Sequence, residues 1–208
     1  MEKKFEQAVA LWREWNGRIN VVSRQDIEHL YEHHVLHSLA IAAYLRRFYP
    51  QPDAVGAGTL FLDLGTGGGF PGIPLAIALP ACRFLLCDSV GKKIKVAQAV
   101  AQGIGLDNVR CVQARAEDLP GPFDWVVSRA VTSLPQFYPW VKGKFRRGIL
   151  CLKGGDVEAE IAELGRRCGV PRGCVRVWPV TEWLKDDYFK EKFVIEIGKS
   201  YLCPPKID

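Results

Sequence analysis

The sequence predicts an α/β fold, in which a doubly wound, mostly parallel sheet of seven strands carries helices on both faces. Three observations support this prediction. From residue 59 onward, short apolar segments alternate with amphipathic ones, a pattern typical of parallel sheets. A glycine-rich turn joins the first apolar segment to the first helical one. The last two apolar segments have no helix between them, which predicts an antiparallel C-terminal strand.

The residues that precede this alternating region predict helices. Apolar residues recur at helical spacing over residues 3–16, which indicates an amphipathic helix. A polar loop over residues 20–24 follows, and Ser23 together with Asp26 is typical of a capping motif that starts a second helix. An apolar helix over residues 38–48 ends this part of the chain.

We divide the chain into an N-terminal helical extension, residues 1–50, and a single compact domain, residues 51–208. Pro50 and Pro52, which are followed by two glycines, indicate a linker at this boundary. A chain of 208 residues, of which 48% are hydrophobic, is large enough for one folded domain with a modest extension.

The alternating region supplies the strands and helices of the predicted sheet. The predicted strands are residues 59–64, 82–88, 109–114, 123–128, 148–152, 175–180 and 192–197. The predicted helices are residues 72–79, 91–103, 133–146 and 156–168. In sheets of this kind, ligands bind where the strands reach their carboxyl ends.

Five glycines lie within eight residues, directly after the first predicted strand. Glycine adopts positive φ without strain and lets a ligand approach the backbone, and a helix start offers free N–H groups. Gly67, Gly69 and Gly72 match the spacing of the dinucleotide fingerprint, and Asp88 closes the next strand, where an acid binds ribose hydroxyls. We therefore favour a bound nucleoside cofactor over a purely structural turn.

Carboxylates at the same edge of the sheet restrict the class of cofactor. Asp63 precedes the glycines, and Asp88 and Glu117 follow the next strands. Negative charge at this edge repels a pyrophosphate and suits a cationic ligand. The chain also lacks a second substrate domain, so the sequence argues against a nicotinamide dehydrogenase.

The composition and the N-terminal residues indicate the compartment in which the protein is expected to act. The seven cysteines are odd in number and have no Cys-x-x-Cys spacing, which favours free thiols of a reducing cytosol over disulfides or a zinc site. The first residues are charged rather than typical of a signal peptide, and no apolar run is long enough to span a membrane. We expect a cytoplasmic, monomeric protein that has no metal and no membrane partner.

A series of short motifs, taken in order, resembles one known family. The first motif, Asp63-Leu-Gly-Thr-Gly-Gly-Gly69, is similar to the glycine signature of S-adenosylmethionine-dependent methyltransferases. The whole series resembles the bacterial 16S rRNA (guanine-N7) methyltransferases, the RsmG family, also called glucose-inhibited division protein B. The resemblance covers nearly the whole chain and departs at His37, where the family has an acid. The further motifs are Cys87-Asp-Ser89, Ala114-Arg-Ala-Glu117, Val127-Ser-Arg-Ala130 and Leu152-Lys-Gly154.

The resemblance implies a class I methyltransferase (Rossmann-like) fold, S-adenosyl-L-methionine as cofactor, and a guanine in the 16S rRNA of the small ribosomal subunit as target. It also implies roles for residues. Gly65, Gly67 and Phe70 would line the methionine and ribose end of the cofactor. Asp88 would accept hydrogen bonds from the ribose hydroxyls. The other residues expected around the cofactor are Asp63, Gly69, Ser89, Ala116, Glu117 and Arg129.

Arg129 and Lys153 are the candidate catalytic residues. Guanine N7 has a lone pair and no proton, so its methylation needs alignment and electrostatic preorganisation rather than a general base. Arginine and lysine read the N7 and O6 edge of guanine, and we expect one of the two residues to donate to this edge. Either residue can equally be the partner in a structural ion pair.

Basic residues and histidines outside the site predict contact with RNA. Four cations lie within residues 142–147, and a net charge of +5 is compatible with a polyanionic partner. Three histidines share the spacing of one helix face, but a metal site requires a carboxylate, which this predicted face lacks. We therefore interpret the histidines as solvated or RNA-facing. They are His29, His33, His34 and His37.

Other functions remain open. A methyltransferase of the same fold could act on a small molecule or a protein, although the helical extension and the basic pairs favour RNA. A nucleotide-binding regulator without catalysis is a third possibility, but the glycines and acids of the cofactor motifs are all present. A nicotinamide dehydrogenase is the least supported function.

Overall fold

The computed structural model describes residues 1–50 and 55–199. The order across the sheet is third, second, first, fourth, fifth, seventh and sixth strand. The first five strands pair in parallel, and the last is antiparallel to both of its neighbours. The predicted sheet is therefore confirmed. Its strands are β1 Leu60–Leu64, β2 Arg83–Asp88, β3 Val109–Gln113, β4 Phe123–Arg129, β5 Phe145–Gly154, β6 Val175–Pro179 and β7 Lys192–Gly198.

Helices cover both faces of this sheet, and two hydrophobic clusters lie between them and the strands. Phe61 and Leu62 are neighbours on β1 but belong to different clusters, because successive side chains of a strand point to opposite faces. Both side chains are fully buried. The helices are α1 Glu2–Asn16, α2 His37–Phe48, α3 Gly72–Ala78, α4 Gly91–Gly103, α5 Leu134–Val141 and α6 Val157–Cys168.

The helical extension shares the larger hydrophobic cluster with the sheet. Trp12 of α1 and Ile41 of α2 are both fully buried in the cluster that contains Phe61 of β1. α1 packs against α4 and α3, and the Lys4 ammonium donates to the Gly105 carbonyl across 2.9 Å. α1 therefore lies against the helices that flank the first half of the sheet, whereas α2 also contacts β5 and β7. The predicted linker residue Pro52 and the domain boundary at residue 51 lie outside the described residues.

The segment between α1 and α2 departs from a regular helix. The Asp26 N–H donates to the Ser23 hydroxyl across 3.2 Å, as the predicted capping motif requires. A single 3₁₀ turn, Ile27–His29, is followed by a π-helical stretch, Leu30–Leu36, before α2 begins. A π-helix has i→i+5 hydrogen bonds and is frequent at functional sites. The predicted second helix is therefore present, but its first part is wound more widely than expected.

The predicted helix over residues 133–146 is wrong in its second half. The helix ends at Val141, and Gly143 adopts a left-handed φ of 81°, which a helix cannot continue through. The Phe123 N–H then donates to the Lys144 carbonyl across 2.8 Å. Pairing between β4 and β5 therefore begins at Phe145, and the strand is longer than the predicted residues 148–152.

Two further features concern the setting of the chain. No helix within residues 1–50 and 55–199 is long and apolar enough to cross a membrane. Six cysteines of these residues are free thiols, and Cys203 lies outside the described part of the chain.

Candidate active site

The glycine loop after β1 is held together by a buried carboxylate. Asp63 has no exposed surface, and its Oδ2 accepts hydrogen bonds from the Thr66 hydroxyl at 2.5 Å and the Gly72 N–H at 2.7 Å. The expectation that this carboxylate lies at the mouth of the turn is therefore wrong, because it supports the loop from within the core. Burial raises the pKa of Asp63 to about 7, although both hydrogen bonds oppose the change.

At two positions of the loop, close neighbours leave no room for a side chain, so the residue has to be glycine. Gly65 has a φ of +73°, and a Cβ atom on it would lie 2.3 Å from Val131 Cγ2. A Cβ atom on Gly68 would lie 2.8 Å from the side chain of Val21 in the extension. The loop is therefore enclosed between the segment after β4 and the extension. Gly69 has its own close neighbour, Ile73, and lines neither of the cavities described below.

The first helix of the extension fixes the position of the loop. The Trp12 indole N–H donates to the Gly68 carbonyl across 2.7 Å. The Trp12 ring also stacks on Phe70, with 4.2 Å between the ring centroids. Sequence reasoning missed this contact because 56 residues separate Trp12 from Gly68 and no local pattern marks it.

A cavity of about 450 Å³ lies at the carboxyl ends of β1 to β3, and we call it the Asp88 cavity. The Asp88 carboxylate accepts from the Gly67 N–H through one oxygen and from the Val90 N–H through the other, each across 2.9 Å. Each oxygen keeps a further acceptor site for a ligand hydroxyl. Five residues predicted to surround a cofactor line this cavity: Gly65, Asp88, Ser89, Ala116 and Glu117.

Apolar side chains surround the same cavity. Val90, Val131 and Trp140 line it, and each keeps more than a third of its surface exposed. Exposed apolar groups beside a carboxylate suit a ligand that has both a flat ring and hydroxyl groups. A nucleoside has this character. None of these three residues is among those predicted from the sequence to surround the cofactor.

A second cavity of about 470 Å³ adjoins the first, and we call it the Arg129 cavity. The two cavities share Gly65, Lys93 and Ala130 in their linings. Gly67 and Phe70, both predicted, also line the second cavity. The remaining lining comes mostly from the extension and from the connection between β6 and β7, including Val22, Asp26, His33, His34, His37, Tyr188 and Lys192.

Arg129 has no hydrogen bond or ion pair with any described residue. Its guanidinium lies 4.8 Å from the centroid of the Phe70 ring and lines the second cavity. Burial lowers the pKa of Arg129 to about 10, with Tyr188, Asp63 and Asp26 opposing the change, so the group stays cationic at neutral pH. A half-buried guanidinium with free donors is prepared to bind a ligand that carries acceptors.

Lys153, the other candidate catalytic residue, is engaged by the protein. Its Nζ lies 2.9 Å from Glu160 Oε1 and donates to the Thr132 carbonyl across 2.9 Å. Glu160 Oε2 in turn accepts from the Leu134 N–H across 2.9 Å. Lys153 therefore fixes the segment that joins β4 to α5. Lys153 also lines the Arg129 cavity, but of the two candidates Arg129 is the one without a described hydrogen-bond or ion-pair partner.

The segment after β4 begins with a strained residue. Ala130 has a φ of 52°, and no other non-glycine residue of the described chain has a positive φ. This conformation costs an alanine free energy and is often retained at functional sites. Ala130 lines both cavities, so the strain lies where the two cavities meet.

The histidines are placed differently from the prediction. The two oxygens of Asp26 accept from His33 Nδ1 and His34 Nε2, each across 2.5 Å. The His33 ring stacks on Tyr188, with 3.5 Å between centroids, and His37 is 6% exposed. The expectation of a solvated face without a carboxylate is therefore wrong for His33, His34 and His37, because they pack against Asp26 and the connection between β6 and β7. His29 is exposed, and contact of the histidines with RNA stays a prediction.

Burial keeps two of these histidines neutral. Burial, with a smaller contribution from Arg129, lowers the pKa of His34 to about 4 and that of His37 to about 3. For Asp26, burial alone would raise the pKa, but the hydrogen bonds from both histidines outweigh it and hold the pKa below its usual range. Across residues 1–50 and 55–199, no group of three or more His, Cys, Asp or Glu side chains is arranged to hold a metal ion.

The basic run over residues 142–147 is partly engaged by the protein. The Lys144 ammonium donates to the carbonyls of Glu117 and Leu119, across 3.1 and 2.7 Å. Arg146 lies 3.5 Å from the Asp124 carboxylate. These cations therefore connect the start of β5 to β4 and to the segment after β3. Besides Arg129, the cations that line the Arg129 cavity are Lys93, Lys153 and Lys192.

The fold is that of S-adenosylmethionine-dependent methyltransferases. The chain resembles the magnesium protoporphyrin IX methyltransferase of Synechocystis PCC 6803, solved with bound cofactor, with a TM-score of 0.62 and 19% identity over 92% of this chain and 90% of that one. It also resembles a methyltransferase of this class from Aquifex aeolicus, with a TM-score of 0.57 and 17% identity over 84% and 97% of the two chains. At these identities the likeness establishes the fold alone.

Sequence relatives define the family. The model of the GidB family, rRNA small subunit methyltransferase G, matches residues 1–181. A ribosomal RNA small subunit methyltransferase G from Flavobacterium psychrophilum is 46% identical over 95% of this chain and 91% of its own length. The protein of the same name from Porphyromonas gingivalis is 47% identical over 93% and 85%. The chain belongs to the rRNA small subunit methyltransferase G family.

Proposed function

We propose that this chain transfers a methyl group from S-adenosylmethionine to N7 of one guanine in the 16S rRNA of the small ribosomal subunit. The observation that carries the proposal is Arg129, a half-buried cation without a described hydrogen-bond or ion-pair partner, in a cavity that shares a wall with the Asp88 cavity. The names of the relatives supply the class of substrate, and the unpaired guanidinium agrees with a guanine that presents acceptors.

The Asp88 cavity fits the nucleoside part of the cofactor. The free acceptor sites of Asp88 would take the ribose hydroxyls, while Ser89, Ala116 and Glu117 would surround the adenine, which Trp140 would cover. Gly65 and Gly67 would leave room for the sulfonium end beside Ala130. When bound there, S-adenosylmethionine supplies an electrophilic methyl group on a positively charged sulfur. Asp63 and Gly69 act behind the loop, where they maintain its shape.

The Arg129 cavity would hold the target base. Arg129 would donate to guanine O6 and orient the neighbouring N7, whose lone pair needs no base for activation. The contribution of the protein is then alignment and a fixed electrostatic environment. Lys93 and Lys192 would attract the phosphates on either side of the base, and Lys153 would hold the segment after β4 in place.

The proposal also gives a role to each of the two parts of the chain. Residues 1–50 form an extension that completes the target-base cavity of the domain formed by residues 51–208. We take the protein to act as a monomer in the cytoplasm, where its ribosomal substrate is found, and without a metal ion, because N7 methylation requires none.

The test is transfer of a radiolabelled methyl group from S-adenosylmethionine to small ribosomal subunits that lack the modification, with naked rRNA and an unrelated protein as comparisons. We expect label in 7-methylguanosine at a single position of the rRNA. Label in the protein comparison or in a small molecule would favour a different methyltransferase. Cofactor binding without label in any acceptor would favour a regulator without catalysis.

A further inference from the structure

The Arg129 cavity also contains a carboxylate, that of Asp26, which methyl transfer itself does not require. Asp26 belongs to the extension, whereas Arg129 follows the core strand β4, and both line the cavity. Asp26 is close enough to raise the pKa of Arg129, yet the two side chains form no ion pair with each other. A ligand between them would therefore meet an acceptor on one side and a donor on the other.

The Asp26 carboxylate has acceptor capacity left for such a ligand. Its two oxygens offer about four lone-pair sites, and His33 and His34 occupy one site on each oxygen. The carboxyl side chain keeps 29% of its surface exposed. The two imidazoles hold the carboxylate in one orientation, and His33 is itself stacked on Tyr188. Asp26 is thus a rigid acceptor with a partly open face.

Guanine matches this pair of groups and adenine does not. Around the guanine ring, N7 and the acceptor O6 are followed by the N1–H donor and the 2-amino donor. Adenine presents the opposite polarity, with an amino group in place of O6 and a bare lone pair at N1. An adenine in the same orientation would leave both the guanidinium and the carboxylate without partners, which is unfavourable in a buried site.

We propose that Asp26 determines the specificity for guanine, accepting hydrogen bonds from N1–H and the 2-amino group of the base whose O6 accepts from Arg129. This inference rests on the proposed function, since it names the contacts of the same target base. Ala130 follows Arg129 in the chain and lines both cavities. The order Asp26, Arg129, Ala130 then matches the order 2-amino group, O6, N7, and N7 faces the wall shared with the cofactor.

The test compares guanine with inosine, which keeps O6, N7 and N1–H but lacks the 2-amino group. Small subunits are reconstituted with either base at the position that the methyl-transfer experiment identifies, and kcat/KM is measured on each. We expect the unmodified protein to favour guanine by about tenfold to a hundredfold, as for one lost hydrogen bond to a charged group. In Asp26→Ala the preference falls to about one, since both bases lose the acceptor for N1–H and guanine also loses the acceptor for its 2-amino group.

Glu28→Ala is the matched control, because it removes a carboxylate from an exposed position two residues away. It should keep the full preference for guanine. Each preference is a ratio within one protein, so a partly unfolded sample lowers both values and leaves the ratio intact. Asp26→Asn, which conserves size, should also lose most of the preference, and cofactor affinity measured by calorimetry should stay unchanged in all three variants.

Two results overturn the inference while the proposed function stands. One is methylation of guanine and inosine at equal rates by the unmodified protein. The other is an Asp26→Ala protein that is active and keeps the full preference for guanine. Absence of label in guanine from the unmodified protein overturns the proposed function, and the inference with it.

Discussion

Arg129 and Lys153 show how two cations at the same edge of a sheet acquire different roles. The Lys153 ammonium is 13% exposed and paired with Glu160, so its charge is compensated within the protein. The Arg129 guanidinium is half-buried and has no described hydrogen-bond or ion-pair partner. Burial of an unpaired charge costs free energy, and the fold retains that cost where a ligand would relieve it.

Replacement of Arg129 by methionine should therefore separate activity from stability. We expect Arg129→Met to lower methyl transfer to small subunits by about a hundredfold or more, as for the loss of one preorganised donor. The melting temperature should stay the same or rise, because the change removes a buried charge that has no partner. Methyl-transfer rates and thermal unfolding of the purified variant give both values.

Lys153→Met is the matched contrast. It leaves the Glu160 carboxylate, which is 26% exposed, without its cation, and we expect a loss of about 1–3 kcal/mol in the free energy of unfolding. Urea titration measures this loss. If Arg129→Met destabilised the fold as much as Lys153→Met, the guanidinium would have a structural role and the case for a ligand partner would weaken.

Residues that directly follow a strand could be predicted from the sequence. Asp88, Ala116 and Glu117 line a cavity, because the ends of parallel strands meet at one edge. Asp63 could not be placed correctly, because its burial depends on how the glycine loop folds back so that Thr66 and Gly72 donate to it. His37 could not be placed because its neighbour Phe189, whose ring lies edge-on at 5.9 Å, is far away in the chain. Nothing local in the sequence marks these contacts.

At the level of elements, α1 and the glycine loop act as one unit. The indole of Trp12 both stacks on Phe70 and donates to the Gly68 carbonyl. The loop contributes backbone to both cavities, so a change in α1 should reach the cofactor without any direct contact.

Trp12→Phe tests this connection, because it keeps one aromatic ring against Phe70 and removes the N–H donor together with part of the buried indole. We expect a loss of about 2–4 kcal/mol in the free energy of unfolding, from the unpaired carbonyl and the void left in the core, together with weaker S-adenosylmethionine binding. Urea titration and calorimetry measure the two effects. The control is Trp183→Phe, since Trp183 is 36% exposed and lines neither cavity. An unchanged cofactor affinity in Trp12→Phe would show that the loop keeps its shape without α1.

Element boundaries followed the sequence where local signals are strong. The helix predicted over residues 91–103 matches α4 exactly in its bounds. The helix predicted over residues 133–146 was too long, because the pairing of β5 with β4 competes for its last residues. The π-helical stretch Leu30–Leu36 has the apolar spacing of an ordinary helix, so its wider winding is set by packing against the sheet and could not be predicted.

For the molecule as a whole, buried titratable groups set the response of stability to pH. The pKa of His34 is lowered to about 4 and that of His37 to about 3, from 6.5, so the stability that these neutral groups provide is present above pH 6.5 and is lost on acidification towards pH 4. Asp63 has the opposite effect, because its pKa is raised from 3.8 to about 7. The stability that its protonated form provides is present at low pH and is lost as the pH rises towards 7.

Two histidines outweigh one carboxyl group, so these three groups should make the fold less stable as the pH falls from 6.5 to about 4. One net proton corresponds to about 1.4 kcal/mol per pH unit. We expect His37→Asn to flatten the dependence and Asp63→Asn to steepen it, as measured by urea unfolding across this pH range. Equal slopes in all three proteins would mean that other groups control acid unfolding.

The charge around the Arg129 cavity should govern RNA binding. We expect the affinity for rRNA to fall steeply with salt, because cations that contact phosphates release counterions. Lys192→Gln should reduce the slope of log affinity against log salt by about 0.7 to 0.9, whereas Lys185→Gln, on an exposed part of the same connection, should not. A response to salt that is flat in the unmodified protein would count against an RNA substrate.

The shared wall between the two cavities also bears on inhibitor chemistry. Gly65, Lys93 and Ala130 belong to both linings, so one molecule can reach from the Asp88 side to the Arg129 side past this wall. A compound that joins an adenosine to a guanine through a linker of a few atoms would bind its second half at the high effective concentration that a short tether provides. Selectivity over other enzymes of this fold would come from the guanine half, because Asp26, His33 and His34 belong to the extension rather than to the common sheet.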